Sequence, residues 1–301
     1  MRFLLAILLL AVCSAAPAFA QEDTALDAQL RGLVSAFQGK VALYATDLRT
    51  GKTAGIDPDT PVPTASVIKL TVLFEALKEL EDGRVRLDDK LTLTKNDQVE
   101  GSGVLTLFDT PQSLTLKDAL TLMIDLSDNT ATNLLIDRLG LQNIDNRIQW
   151  LGLRNTWLYK KVFRPPVGHV PADQPRFGLG KTTPREMAEV MRRFVTCDLN
   201  APASTAPPTA QDRQVCGIAI GILKNQFDRD DLPRYLGPLA VANKTGALDD
   251  VRNDVAAVYA PSGPIVISAF TYDNKDQSWT ADNSAQVLLA KIGKTIVDRW
   301  R

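Results

Sequence analysis

Apolar and polar positions follow two rhythms along this chain, and the change of rhythm divides it. From Thr24 to Phe37 apolar residues recur every three or four positions, the period of an amphipathic helix. Val41 to Leu48 and Lys52 to Ile56 read as two strands folded into a hairpin about Thr50-Gly51. A helix then starts near Pro63 and runs to Leu80, where Asp82-Gly83 stops it. Its apolar residues (Val67, Ile68, Leu70, Val72, Leu73, Phe74, Ala76, Leu77, Leu80) lie almost all round, which predicts a central, buried helix. Thr115, with Asp118 three residues on, predicts a capped helix to about Leu126. Further helices are expected over Thr130 to Leu139, stopped by Gly140, and over Leu141 to Trp150, ended by Gly152. Arg154 to Lys181 is irregular and rich in Pro and Gly; a structureless stretch of that length in a compact protein is usually functional. Helical periodicity returns at Pro184 to Phe194 and at Asp212 to Gln226. Three strands follow, Leu239 to Lys244, Asn253 to Ala260 and Ile265 to Tyr272, then a last helix from Ser284 to Trp300.

Strands therefore lie at both ends of the sequence and helices in the middle. The simplest architecture is an α/β fold of the α+β type, an antiparallel sheet formed by both chain ends, flanked by helices, with an inserted all-helical lobe. Residues 21–62 and 215–301 are expected to form the α/β lobe and residues 63–214 the helical one, with a site in the cleft between them. Ahead of these, Arg2, the apolar run Phe3 to Val12 and Ala18-Phe19-Ala20 read as a secretory signal peptide, residues 1–20, cut after Ala20. The expected location is periplasmic or secreted. A membrane anchor is the alternative, but the run is too short to span a bilayer, so no stable membrane span is expected. Lipid attachment at Cys13 is disfavoured by the bulky Val12 before it.

Composition narrows the chemistry. With 34 basic and 35 acidic residues the charge is nearly balanced, so nothing suggests a nucleic-acid surface. One histidine, His169, excludes a His-rich zinc hydrolase. A Ser-His-Asp enzyme would have to use that residue, and no G-x-S-x-G elbow is present. Gly178-Leu179-Gly180-Lys181-Thr182 resembles a phosphate loop but has Pro175 where the first glycine is required. No metal or organic cofactor is implied. Cys197 and Cys216 flank the Pro/Ala/Thr-rich segment Ala201 to Ala210; export favours a disulfide between them, two unrelated buried thiols being the alternative.

Three strings carry chemistry: Ser66-Val67-Ile68-Lys69, Ser127-Asp128-Asn129 and Lys244-Thr245-Gly246. Ser66 and Lys69 lie one helical turn apart on one face. The Ser66 N–H falls among the unsatisfied amides of the first turn, where the helix dipole favours negative charge. Burial should lower the Lys69 pKa and make it a base toward Ser66; alternatively it reaches out to solvent. Ser127 could relay a proton and Asn129 could hold a substrate amide, although these residue types also serve as a helix N-cap. Lys244 and Thr245 could bind a carboxylate, and Gly246 lets a substrate lie close to the backbone. The Ala247 amide could pair with that of Ser66 as an oxyanion hole, and Arg252 could add a second contact to an anionic substrate.

With these strings placed, the chain resembles the penicillin-recognising serine enzymes, the β-lactamases and D-alanyl-D-alanine peptidases. It is most similar to class A β-lactamases, through Asp128-Asn129-Thr130-Ala131-Thr132-Asn133-Leu134-Leu135, Thr182-Thr183-Pro184 with Met187-Ala188, and Arg252-Asn253-Asp254. The resemblance implies that Ser66 is acylated and that Lys69 helps to activate it. It further implies that Ser127 relays a proton and Asn129 orients the substrate, while Lys244, Thr245 and Arg252 bind the substrate carboxylate. The turn before Arg252 is a residue shorter than usual in that class.

One departure stands out. Class A enzymes carry a Glu-x-x-Leu-Asn string in the loop before Thr-Thr-Pro, whose glutamate positions the deacylating water. Phe163 to Pro175 contains no glutamate; Asp173 and His169 are its only titratable substitutes apart from Arg164. Without that base, assistance to deacylation worth about 10²- to 10⁴-fold is missing. The first expectation is thus a monomeric, secreted serine hydrolase acylated by β-lactams, with slow release. A peptidase or esterase of the same fold acting on peptidoglycan-derived substrates is the second, and a non-catalytic sensor of β-lactams or cell-wall fragments the third.

Overall fold

The computed structural model describes residues 21–168, 171–202, 204 and 206–301, so the expected signal peptide and His169 lie outside the described residues. The chain opens with strand β1 (Gln21–Glu22) and helix α1 (Thr24–Val34), then the hairpin β2 (Lys40–Asp47) and β3 (Lys52–Ile56). After β4 (Val62–Pro63) come α2 (Lys69–Glu81), a hairpin of β5 (Lys90–Leu93) and β6 (Gln112–Thr115), and helices α3 (Leu116–Asp125), α4 (Asn129–Leu139) and α5 (Leu141–Trp150). Strand β7 (Trp157–Leu158), the single turn α6 (Gln174–Phe177) and β8 (Gly180–Thr182) lead into α7 (Pro184–Thr196) and α8 (Ala210–Lys224). The chain closes with β9 (Ala240–Leu248), β10 (Val251–Ala260), β11 (Gly263–Tyr272) and α9 (Ser284–Trp300).

The main sheet runs β1-β3-β2-β11-β10-β9, antiparallel except for the β1–β3 pair. It is therefore built from both chain ends. Successive side chains of a strand face opposite sides, and β10 shows this directly. Val255 and Ala257 join one apolar cluster, shared with Phe74, Met187 and Phe194, while Ala256 and Val258 join the other, shared with Leu26, Leu289 and Ile296. Burial on both faces explains why β10 and β11 read as near-continuous apolar runs. Helix α2 is buried along most of its length, as an all-round apolar pattern requires. The two ends are tied together by Asp23, which accepts from Arg299 Nε at 3.0 Å and Trp300 Nε1 at 3.1 Å.

Several boundaries depart from the sequence reading. The inserted lobe is not all-helical: β4, β8 and β7 pair into a small sheet, and β5 with β6 into another. The stretch expected to be irregular therefore contains two strands and a helical turn. Such strands are too short for an alternating pattern to register. The expected helix from Pro63 begins instead as a tight 3-10 turn over Ala65–Ile68. Strand β10 starts at Val251, two residues early, because β9 and β10 join through a tight turn that pairs Leu248 with Val251. Cys197 and Cys216 are disulfide-bonded and link the end of α7 to α8.

Asp145 on α5 accepts the Leu158 N–H at 2.9 Å and so anchors the start of the long connection. Its burial pushes its carboxyl up to about 7. An unfolded aspartate ionises near about 4, so in between the native state holds the extra proton and stability falls as pH rises. Asp145→Asn keeps an acceptor for Leu158 but cannot ionise. We expect its melting temperature, relative to wild type, to rise from about pH 4 to about pH 7 and to level off above that. A difference independent of pH would contradict this assignment.

Candidate active site

The approach to Ser66 is held at several points. Thr64 donates its N–H to Gly180 O on β8 at 3.1 Å, and Asn253 Nδ2 on β10 donates to Pro63 O at 2.9 Å. Ala65 takes a left-handed φ of 45°, a conformation that a non-glycine residue adopts only where its surroundings impose it. Ser66 follows in the 3-10 turn, half-buried, with its N–H upstream of the first intrahelical bond. Gly246 on the edge strand β9 faces this turn. A Cβ there would lie 2.8 Å from Thr64 O and 3.0 Å from Ser66 N. Only glycine lets the strand press against the turn, and that contact brings Thr245, Gly246 and Ala247 alongside Ser66.

Lys69 is fully buried. Its Nζ lies 2.7 Å from Ser127 O, 3.1 Å from Ser127 Oγ and 2.9 Å from Asn129 Oδ1. Burial, and next the charge of Lys244, hold its pKa well below the usual lysine value. Lys244, also fully buried, donates to Ser127 Oγ at 3.1 Å and to Thr245 O at 2.6 Å. Burial lowers its pKa to about 8, against the pull of Asp228 and other aspartates. Ser127, at a left-handed φ of 53° in the turn between α3 and α4, thus sits between two lysines. The three strings converge, with two adjustments. Among the described residues the side-chain hydrogen bonds of Lys69 go to Ser127 and Asn129 rather than to Ser66. Asn129 has its oxygen on Lys69 and its Nδ2 on Glu100 O at 3.1 Å, so both groups expected to clasp a substrate amide are already engaged.

Two expected site residues are placed elsewhere. The Arg252 guanidinium is bound to the backbone carbonyls of Leu248, Val251 and Ser278 and stacks 4.5 Å from the Trp279 ring. Arg252 is not among the residues that line the cleft, although Trp279, on which it stacks, is. Asp173 accepts from Lys181 Nζ at 2.6 Å and from the Tyr159 hydroxyl at 2.9 Å. Its bond to Lys181, chiefly, holds the carboxyl below the usual range, and it too stands outside the cleft lining.

Other contributors were not singled out from sequence. Asp128 caps α4 through Ala131 N at 2.8 Å and holds Val104 N and Leu105 N at 2.7 and 2.9 Å. A Cβ on Gly103 would strike that carboxylate at 2.2 Å; the pattern Gly101-Ser102-Gly103 was the signal for this close approach. Asn133 grips the backbone of Val162 from both sides, accepting its N–H at 2.8 Å and donating to its O at 3.0 Å. That clamp fixes the backbone of Val162, with apolar Phe163 next to it, against α4.

Ser66, Ser127, Thr245, Gly246 and Ala247 line one cleft of about 250 Å3, together with Asp125, Gln226, Phe227, Asp228 and Trp279. A larger hollow of about 710 Å3, beside Gln38 and Asn274, is lined by no residue of the three strings and by no serine or cysteine. Among the described residues no three His, Cys, Asp or Glu side chains converge to hold a metal ion, and no helix is long and apolar enough to cross a membrane.

A family model described as "Beta-lactamase enzyme family" matches residues 25–300. A β-lactamase of Bacillus licheniformis is 27% identical over 271 residues, 87% of this chain and 81% of that protein. Among solved structures, a β-lactamase from Sphaerobacter thermophilus superposes with a TM-score of 0.77 at 25% identity, covering 92% of this chain and 97% of that one. A mutant of PBP-A, solved as an acyl-enzyme complex with penicillin-G, also superposes at 0.77 with 25% identity, covering 93% and 97%.

Proposed function

The chain belongs to the beta-lactamase enzyme family, and on that footing we propose that it is a class A-like serine hydrolase that opens β-lactam rings through an acyl-enzyme on Ser66 and releases the product slowly. One observation carries the reading: Ser127 Oγ lies 3.1 Å from both Lys69 Nζ and Lys244 Nζ, in the cleft that Ser66 lines.

The arrangement suits acyl transfer. A buried lysine kept neutral has a lone pair to take the Ser66 proton as Oγ attacks the lactam carbonyl. The Ser127 hydroxyl then hands a proton to the departing lactam nitrogen and is resupplied by Lys69. The backbone amides of Ser66 and Ala247 are the donors for the developing oxyanion. Lys244, cationic below about pH 8, orients Ser127 and, with Thr245, offers a contact to a substrate carboxylate. Release of the acyl group needs an activated water. The long connection carries apolar Val162 and Phe163 at the Asn133 clamp, and among its described residues the one carboxylate, Asp173, is engaged by Lys181 and Tyr159. The Cys197–Cys216 disulfide suits the oxidising compartment to which the leader, residues 1–20, would direct the chain.

The same apolar loop favours a second reading, a D-alanyl-D-alanine peptidase of this fold. Turnover of nitrocefin and of a D-Ala-D-Ala peptide by wild type, Ser66→Ala and Asp173→Asn separates the two. We expect slow nitrocefin turnover that Ser66→Ala abolishes and that Asp173→Asn changes by no more than about twofold. Turnover of the peptide alone would transfer the assignment to the peptidase, and a large loss in Asp173→Asn would restore the loop aspartate as the base.

A further inference from the structure

Asp125 ends α3, two residues before Ser127, and its carboxyl lines the same cleft as Ser66, Ser127 and Thr245. The residue is 5% exposed, and its Oδ1 has no hydrogen-bond partner. Buried carboxylates are ordinarily paired, so a carboxylate in the cleft wall with a buried, unpartnered oxygen leaves its charge unneutralised beside that cleft. Its placement is fixed on both sides. Phe227 donates its N–H to Asp125 O at 3.2 Å, and Gln226 Nε2 donates to Ile124 O at 2.8 Å, which latches the segment after α8 onto the end of α3. The charged groups that share this region are Lys244 from β9, Asp228 from the segment after α8 and Lys69 from α2. Among the described residues Asp125 forms no ion pair with any of them.

We infer, resting on the function proposed above, that Asp125 is a specificity-determining residue. Its ionised carboxylate opposes substrates that lay an anionic group beside Lys244, and its protonated form admits them. A carboxylate held near the Lys244 ammonium offsets the positive charge that a substrate carboxylate would seek, and like charges brought together at a binding site cost affinity. Once protonated, the same group adds no charge and can donate a hydrogen bond to that substrate carboxylate. Burial pushes Asp125 up to about 6, with Lys244 acting in the opposite sense. Lys244 titrates only at about 8, so between these values the anion-binding end of the cleft changes charge through Asp125 while its lysine stays cationic.

The test compares acylation by benzylpenicillin, a monoanion, with acylation by its methyl ester, which keeps the ring and side chain but carries no charge. Rates are read by intact-mass spectrometry from about pH 5 to about pH 7 on wild type and Asp125→Asn, a range in which Lys244 is largely cationic. The ratio of anion to ester cancels the protonation of Lys69, which affects both compounds. In wild type this ratio should fall about tenfold as pH rises, the effect of one charge several ångströms away. Asp125→Asn should hold the acid-side ratio throughout. A ratio independent of pH in wild type, or an Asp125→Asn profile that still falls, overturns the inference. Should Asp125→Asn fail to fold, the wild-type comparison still decides. Acylation by neither compound at any pH would instead overturn the hydrolase reading, and this inference with it.

Discussion

Replacing Lys69 with methionine is expected to slow acylation of Ser66 by about 10²- to 10⁴-fold while leaving the protein folded. The lysine is fully buried, with Asn129, Ser127 and Lys244 around it rather than water. Methionine has a similar length and no charge, so the substitution removes the base without opening a large cavity. Two acceptors, Ser127 O and Asn129 Oδ1, lose a donor, which costs stability, but the burden of burying an amine beside Lys244 disappears as well. The rate constant for labelling by a fluorescent penicillin, read beside a thermal melt, checks this. Wild-type labelling by a folded Lys69→Met protein would remove the lysine from the mechanism.

The second large effect runs in the opposite direction. Val162→Glu is expected to speed loss of the acyl group by about 10²- to 10⁴-fold. Asn133 clamps the Val162 backbone at both its N–H and its O, so a new side chain would start from a fixed point. Asn133 lies one helical turn after Asn129 on α4, on the same face, and Asn129 touches Lys69. A carboxylate introduced there begins beside the face of α4 from which Asn129 reaches Lys69. Half-life of the penicilloyl adduct after a chase with excess unlabelled buffer measures the effect. An unchanged half-life in a folded variant would mean that the missing loop carboxylate is not what makes release slow.

The parts of the fold that could be read in advance are those where one physical demand governs a long segment. Helix α2 has to be apolar all round because it is buried on all sides, and β10 and β11 have to be apolar at consecutive positions because both faces of the sheet are covered. The short strands β4, β7 and β8 hold two or three residues each, too few for any period, and they emerge only from pairing with one another. The meeting of Ser66, Lys69, Ser127 and Lys244 was legible because each string carries its own reason for facing the cleft: a helix start, an interhelical turn and a strand that needs glycine to approach the helix. Arg252 was expected to meet a substrate carboxylate; in the fold the carbonyls of Leu248, Val251 and Ser278 engage its guanidinium, and spacing along the chain does not reveal such partners. Asp125 escaped notice because, at the end of an apolar helix, it looks like ordinary helix-end polarity, and only the fold shows it in the cleft wall with a buried, unpartnered oxygen.

The central claim is that Ser66 becomes covalently acylated by a β-lactam and that the adduct outlives its formation. An intact-mass time course of wild type and Ser66→Ala mixed with benzylpenicillin, followed by peptide mapping, tests it most directly. The account predicts an adduct one penicillin heavier, mapped to the peptide bearing Ser66, formed faster than it decays and absent from Ser66→Ala. A wild-type protein that neither gains this mass nor hydrolyses the antibiotic, or an adduct that persists in Ser66→Ala, would contradict it.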